Sequence, residues 1–163
     1  MKHIVIAIFL SFSLTAFSQS TSSILEKYED MEEVSKMSLT GDLLRMFAKE
    51  YEQREIIDKV DKINLLVFNE EVRIDPTDLK IIKANLKKDN FEELINARDG
   101  KMNVQILVKD KGETIKNLFM LFTDGDSKQV IAEMKCNLTY DDLSKIDLNF
   151  EGSEGLNFIG KQM

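Results

Sequence analysis

Nine residues, Ile115-Lys-Asn-Leu-Phe-Met-Leu-Phe-Thr123, constrain the fold of this chain more than any others. Read with the two-residue period of a strand, they place Ile115, Phe119 and Leu121 on one face and Leu118, Met120 and Phe122 on the other. A strand that is apolar on both faces needs cover on both, so it belongs inside a sheet. Its neighbours in sequence, residues 102–109 and 128–137, also read as strands. Asp110-Lys-Gly-Glu113 and Asp124-Gly-Asp126 separate the three with turn formers, and the whole predicts an antiparallel meander.

A second doubly apolar strand is predicted at residues 62–69, with Ile63, Leu65 and Val67 facing one way and Leu66 and Phe68 the other. Residues 91–98 read as a strand that turns at Asp99-Gly100 into the meander, and residues 31–39 as an edge strand. Helices fill the intervals. From Ser22 or Ser23, Ile24, Leu25 and Tyr28 share one helical face, as expected of a lid over the sheet. Thr40 is placed as an N-cap, with Asp42 at the positive end of the helix dipole. The stripe Leu43, Leu44, Phe47, Ala48 and Tyr51 is expected to pack on the sheet, and residues 53–62 to add a helical turn or two with Ile56, Ile57 and Val60 as their apolar positions.

The clearest helix start is Asp75-Pro-Thr-Asp78. Asp75 caps, Pro76 takes the first helical position where its missing N–H costs nothing, and Asp78 completes a box-like arrangement. Leu79, Ile82 and Leu86 form its buried stripe with Ile81 at the border, while Lys80, Lys83, Lys87 and Lys88 face water. Thr139 and Asp142 mark a last capped helix, expected to end near Asp147. Helices gathered before an antiparallel run mean an α+β fold: a mainly antiparallel sheet of about five to six strands with helices layered on one face. The strand order stays open, since several arrangements keep both doubly apolar strands inside.

The N-terminus has the order of a secretory leader: Lys2, an apolar run over residues 4–14, then Ala16 and Ser18. The run is shorter than the ~20 residues that span a bilayer core, and no cysteine sits near the expected cleavage site for a lipid anchor. The expected division is a leader at residues 1–18, one α+β domain at 19–150 and a C-terminal tail at 151–163. Taking 18 of 163 residues away leaves 145, enough for one real core. Loss of Lys2 moves the net charge from −7 to −8. An acidic chain is a poor ligand for nucleic acid or anionic lipid, which demand clustered Lys and Arg.

Two scarcities narrow the chemistry further. Cys136 is the only cysteine, so no intramolecular disulfide forms. His3 is the only histidine and leaves with the leader, which removes Ser/His and Cys/His nucleophiles and His-ligated zinc or iron from the mature chain. The loop Asp124-Gly-Asp-Ser127 is rich in oxygen but lacks the distal glutamate of a calcium loop, and a turn explains its glycine. The acidic pairs Glu32/Glu33, Glu70/Glu71 and Asp141/Asp142 are adjacent in sequence, and adjacent side chains do not converge on one bond.

Cys136 runs in phase with Val130, Ala132 and Met134, as a buried structural thiol does. Met102, Met120 and Met134 suit the core; Met31, Met37 and Met46 suit either the core or an adaptable groove. There is no G-x-S-x-G elbow and no glycine-rich phosphate loop. No catalytic, cofactor-binding or metal-binding residue is therefore assigned, and no cofactor.

Three stretches together are similar to a known family: Val34-Ser-Lys-Met37, the run from Val104 to Phe122, and Cys136-Asn-Leu-Thr-Tyr-Asp-Asp-Leu-Ser-Lys-Ile146. With the leader, they resemble the domain of unknown function 4252 family of exported Bacteroidota proteins, over nearly the whole mature chain. Cys136 stands where that family is expected to carry glycine. The resemblance implies a periplasmic or extracellular location and a genomic association with extracytoplasmic sigma-factor systems, and it brings no catalytic residues. The expected function is that of an exported, non-catalytic protein that binds another cell-envelope component, with no stable membrane span. A small carboxylate-dependent hydrolase and a self-associating structural protein are the alternatives.

Overall fold

The computed structural model describes residues 19–47, 51–125 and 128–145, with the backbone alone for 51–53. The expected leader and tail lie outside the described residues. In chain order the elements are α1 (Thr21–Glu29), β1 (Val34–Thr40), α2 (Gly41–Phe47), α3 (Tyr51–Ile57), β2 (Val60–Phe68), α4 (Pro76–Lys88), β3 (Glu92–Asp99), β4 (Met102–Lys111), β5 (Thr114–Asp124), β6 (Lys128–Thr139) and α5 (Tyr140–Ser144). None of the described helices is long and apolar enough to cross a membrane.

Local chemistry sets the helix ends. Ser20 accepts a hydrogen bond from the Ser23 N–H at 3.1 Å and opens α1. Asp75 accepts from the Thr77 N–H at 2.7 Å, with Pro76 in the first turn of α4. That helix closes at Asn90, which takes a left-handed φ of 63°, while the Phe91 N–H reaches back to the Leu86 carbonyl. Thr139 and Asp142 form the reciprocal capping box of α5, which ends at Ser144, with Lys145 as its cap.

All strand pairs are antiparallel, in the order β1-β2-β6-β5-β4-β3. The meander β3 to β6 forms as its turns predict, and the β1-β2 pair adds to it at β6. Both doubly apolar strands, β2 and β5, are therefore interior, and β1 is an edge. The fold is α+β with six strands.

Two apolar cores share the sheet. The first joins Leu66, Phe68, Phe119, Leu121 and Ile131 to Ile24, Leu25 and Tyr28 of α1 and to Ile82 and Leu86 of α4. The second lies on the opposite face and holds Val104, Ile106, Val108, Phe122, Cys136 and Leu138. Leu44 of α2, Ile56 of α3 and Leu143 of α5 pack against it. The helix layer expected on one face is thus α1 and α4, and the other three helices add a partial cover to the second face.

Two details depart from the pattern. The register of β5 shifts between Ile115 and Asn117 against both neighbours, so Ile115 turns into the second core while Phe119 and Leu121 stay in the first. A β-bulge is the physical reason, since one extra residue reverses the alternation. In α2, Leu44 packs inward but Leu43 is 36% and Phe47 70% exposed, so the expected stripe does not lie on the sheet as a whole. Gly41 explains the orientation: a Cβ there would sit 2.2 Å from the Val60 carbonyl oxygen, so close contact with β2 fixes how α2 starts. Ala48 and the Tyr51 side chain lie outside what is described.

Candidate functional site

Acid/base chemistry needs converging carboxylates, and the fold scatters the three acidic pairs. Glu70 and Glu71 are exposed in a turn whose Asn69 side chain accepts from the N–H groups of Glu71 and Val72. Glu32 is exposed beside a half-buried Glu33, whose backbone carbonyl accepts from the Asn69 N–H. Asp141 pairs with Lys145 at 2.7 Å on the outside of α5. Asp142 points inward instead, accepting from the Thr139 N–H at 2.8 Å and from Lys59 Nζ at 2.6 Å. Burial works to raise its pKa, but the Lys59 ammonium and the two Thr139 hydrogen bonds outweigh it and hold the carboxyl at about 2. A carboxylate so firmly ionised and so fully partnered ties α5 to the link between α3 and β2; it is not a proton carrier.

A second polar group joins α1 to α4. The Tyr28 hydroxyl donates to Asp78 at 2.6 Å and accepts from the Asp75 N–H at 2.9 Å, while Lys27 bonds Asp78 at 2.9 Å. Asp78 is lowered by the Tyr28 hydroxyl and then by Lys27, and Tyr28 is raised by burial and by Asp78. The Tyr28 ring meets Phe68 edge-on at 5.6 Å. Asp78 is thus occupied by α1 and does not complete a box at the start of its own helix. Every polar atom here serves to dock one helix on another.

The nearest approach to an acid pair was not legible in the sequence. Glu133 of β6 lies opposite Asn64 of β2 and Phe119 of β5, on the α1 side of the sheet. Burial raises its pKa, with Glu29 adding repulsion, while Asn64 and Lys62 work the other way. Glu29 is itself paired with Lys36. One half-buried acid beside a neutralised one lacks the second free carboxylate that glycoside chemistry needs.

Cys136 is buried, its thiol donating to the Ile115 carbonyl at 3.5 Å, and burial raises its pKa. A thiol held in its neutral form is a packing group. At the β5-β6 turn, Gly125 has a φ of 48° and bonds the Lys101 carbonyl; Asp126 and Ser127 lie outside the described residues. Among the described residues no three His, Cys, Asp or Glu side chains are grouped to hold a metal ion.

The surface offers a different kind of feature. Of the seven large apolar residues that stand exposed among the described residues, five lie on β1, β2 or the α2 helix that rests on them: Met37, Leu43, Met46, Phe47 and Val67. Met37 is 52% and Met46 80% exposed. The two sheet edges also differ. β3 is guarded by Glu92, Glu93, Arg98 and Asp99 and by a register shift between Glu93 and Ile95. β1 carries a single charge, Lys36, which is drawn to Glu29. Charges and bulges are how proteins keep an edge from pairing, and β1 has few of either. Of the three methionines that suit either the core or a groove, Met31 packs against the first core, and Met37 and Met46 stand exposed beside the open edge.

A family model described as Domain of unknown function (DUF4252) covers residues 28–146, from Tyr28 of the first core through α5. No curated protein and no solved structure matches the chain.

Proposed function

The chain belongs to the DUF4252 family, and from that premise we propose that it is an exported, non-catalytic binding domain whose working surface is the rim formed by β1 and α2. Its partner is another envelope protein that presents an extended segment with alternating apolar side chains. The observation that carries this is the coincidence of an unguarded edge strand with most of the exposed large apolar side chains. An open edge supplies main-chain donors and acceptors, and the side chains beside it supply the apolar contact, as in strand addition. The leader-like N-terminus supports export, and the dispersal of the acidic pairs, with the buried Asp142 committed to Lys59 and Thr139, supports a role without chemistry.

Capture from envelope extract tests the reading. The tagged protein is compared with Met37→Lys and Phe47→Ser variants, and with Leu94→Ser on the guarded side as a control. Burying one methionine is worth roughly 1.5–3 kcal/mol, so Met37→Lys is expected to weaken a specific partner by about tenfold to a hundredfold, with Leu94→Ser unchanged. Recovery of the same proteins by all four would end the proposal. Cell fractionation with N-terminal sequencing checks export, expected to give a start near Gln19; an intact Met1 in the cytoplasm would contradict it.

A further inference from the structure

Gln19 is exposed, yet its backbone is held: the carbonyl accepts a hydrogen bond from Asn85 Nδ2 of α4 at 2.7 Å. Ser20, next in sequence, caps α1 by accepting from the Ser23 N–H. Residue 19 therefore sits where α1 meets α4, one position before the cap. Any charge it carries lies close to the positive end of the α1 dipole.

The expected leader gives that position a particular chemistry. Leader cleavage needs small side chains at the first and third places before the cut bond. Ala16 and Ser18 meet this for a cut before Gln19, and Ser18 and Ser20 meet it for a cut before Thr21. The fold tells the two apart. A cut before Thr21 would discard the Ser20 cap and the carbonyl that Asn85 holds, leaving an ammonium on the first turn of an uncapped helix. A cut before Gln19 keeps both hydrogen bonds, and the mature chain then begins with glutamine.

We propose that Gln19 of the exported protein is closed to pyroglutamate. A terminal glutamine carries its nucleophile and its electrophile on one residue, within reach to close a lactam ring. The α-amine nitrogen attacks Cδ, the N–Cδ bond forms as the Cδ–Nε2 bond breaks, and Nε2 leaves as ammonia with one of the amine protons. No oxidant, nucleotide or second substrate is needed. The product is neutral, and the carbonyl bonded by Asn85 is untouched. Closure removes a cation from the head of α1, whose Ile24, Leu25 and Tyr28 belong to the first core. It also leaves no free amine for an aminopeptidase. The inference rests on the export reading and is independent of what binds the β1 rim.

Intact and tandem mass spectrometry of the protein from freshly lysed cells that express the full chain tests it. The expected product starts at residue 19 and is lighter by one ammonia than the open chain, with the deficit confined to that residue. After unfolding, a pyroglutamyl aminopeptidase should remove it and expose Ser20. A Gln19→Ala variant keeps the small residues before the cut but has no side-chain amide; it should show its full mass and lose residues to a general aminopeptidase severalfold faster. A start at Gln19 with a free amine, or closure that develops only on storage, would overturn the proposal and leave export standing. A start at Thr21 would overturn it through the cleavage site. An intact Met1 would overturn it together with export.

Discussion

At the scale of single residues, the polar side chains that matter most here are fasteners. Asp142 is the clearest, since its carboxyl is held near 2 against an ordinary 3.8. The linkage follows from that sign: a depressed acid adds stability above its unfolded value and loses it as pH falls from about 4 to 2. At ~1.4 kcal/mol per unit, Asp142→Asn is expected to cost roughly 2 kcal/mol at pH 7. Urea denaturation at pH 7 and near pH 2 should show that difference shrinking at the acid end; a pH-independent cost would mean that shape, not charge, is what Asp142 provides. This fastener was half legible. The reach from Asp142 to Thr139 spans three residues and can be read in sequence, but Lys59 is 83 positions away. Asp78 shows the opposite outcome: its local pattern promised a box, and a tyrosine 50 residues earlier claimed the carboxylate.

At the scale of elements, strands were easier to read than the helix that joins the first two. The period of two is plain in β4 and β6, where Val104, Ile106, Val108 and Val130, Ala132, Met134 alternate with mostly polar residues, and β2 and β5 stand out as runs that are apolar on both sides. The bulge at Ile115 escaped, because an inserted residue is a property of the pairing and is invisible in one strand. In α2, four apolar residues in five positions, Leu43, Leu44, Met46 and Phe47, fit several helical faces, and the contact between Gly41 and Val60 selects the one that turns Leu44 inward. Gly41→Ala tests that selection. Its Cβ would meet backbone, which cannot swing aside, so the substitution is expected to cost toward the top of the ~1–3 kcal/mol typical of overpacking. Thermal melting with near-UV and far-UV detection measures it, and an unchanged midpoint would show that α2 is not anchored there.

At the scale of the whole molecule, one sheet joins two cores, and its rim is uneven in stability. The amides of β5 and β6, paired on both sides and covered by both cores, are expected to exchange only by global unfolding. Those of β1 and β3, each paired on one side, should exchange roughly a hundredfold faster or more through local opening. Hydrogen exchange resolved by residue checks this, and equal protection of edge and centre would mean that the edges are covered in solution.

By itself the sequence determined the α+β class, the meander, the Asp75 and Thr139 caps of α4 and α5 and the inward place of β2 and β5. Each of these follows from residues within a few positions of one another, where side-chain period and backbone hydrogen bonding act. The tertiary structure alone decided that β2 lies against β6, that helices reach both faces, and that Met37, Val67 and the end of α2 gather beside an unguarded edge. Those outcomes depend on which distant surfaces bury one another, and a linear pattern is the same for every arrangement that buries them equally well.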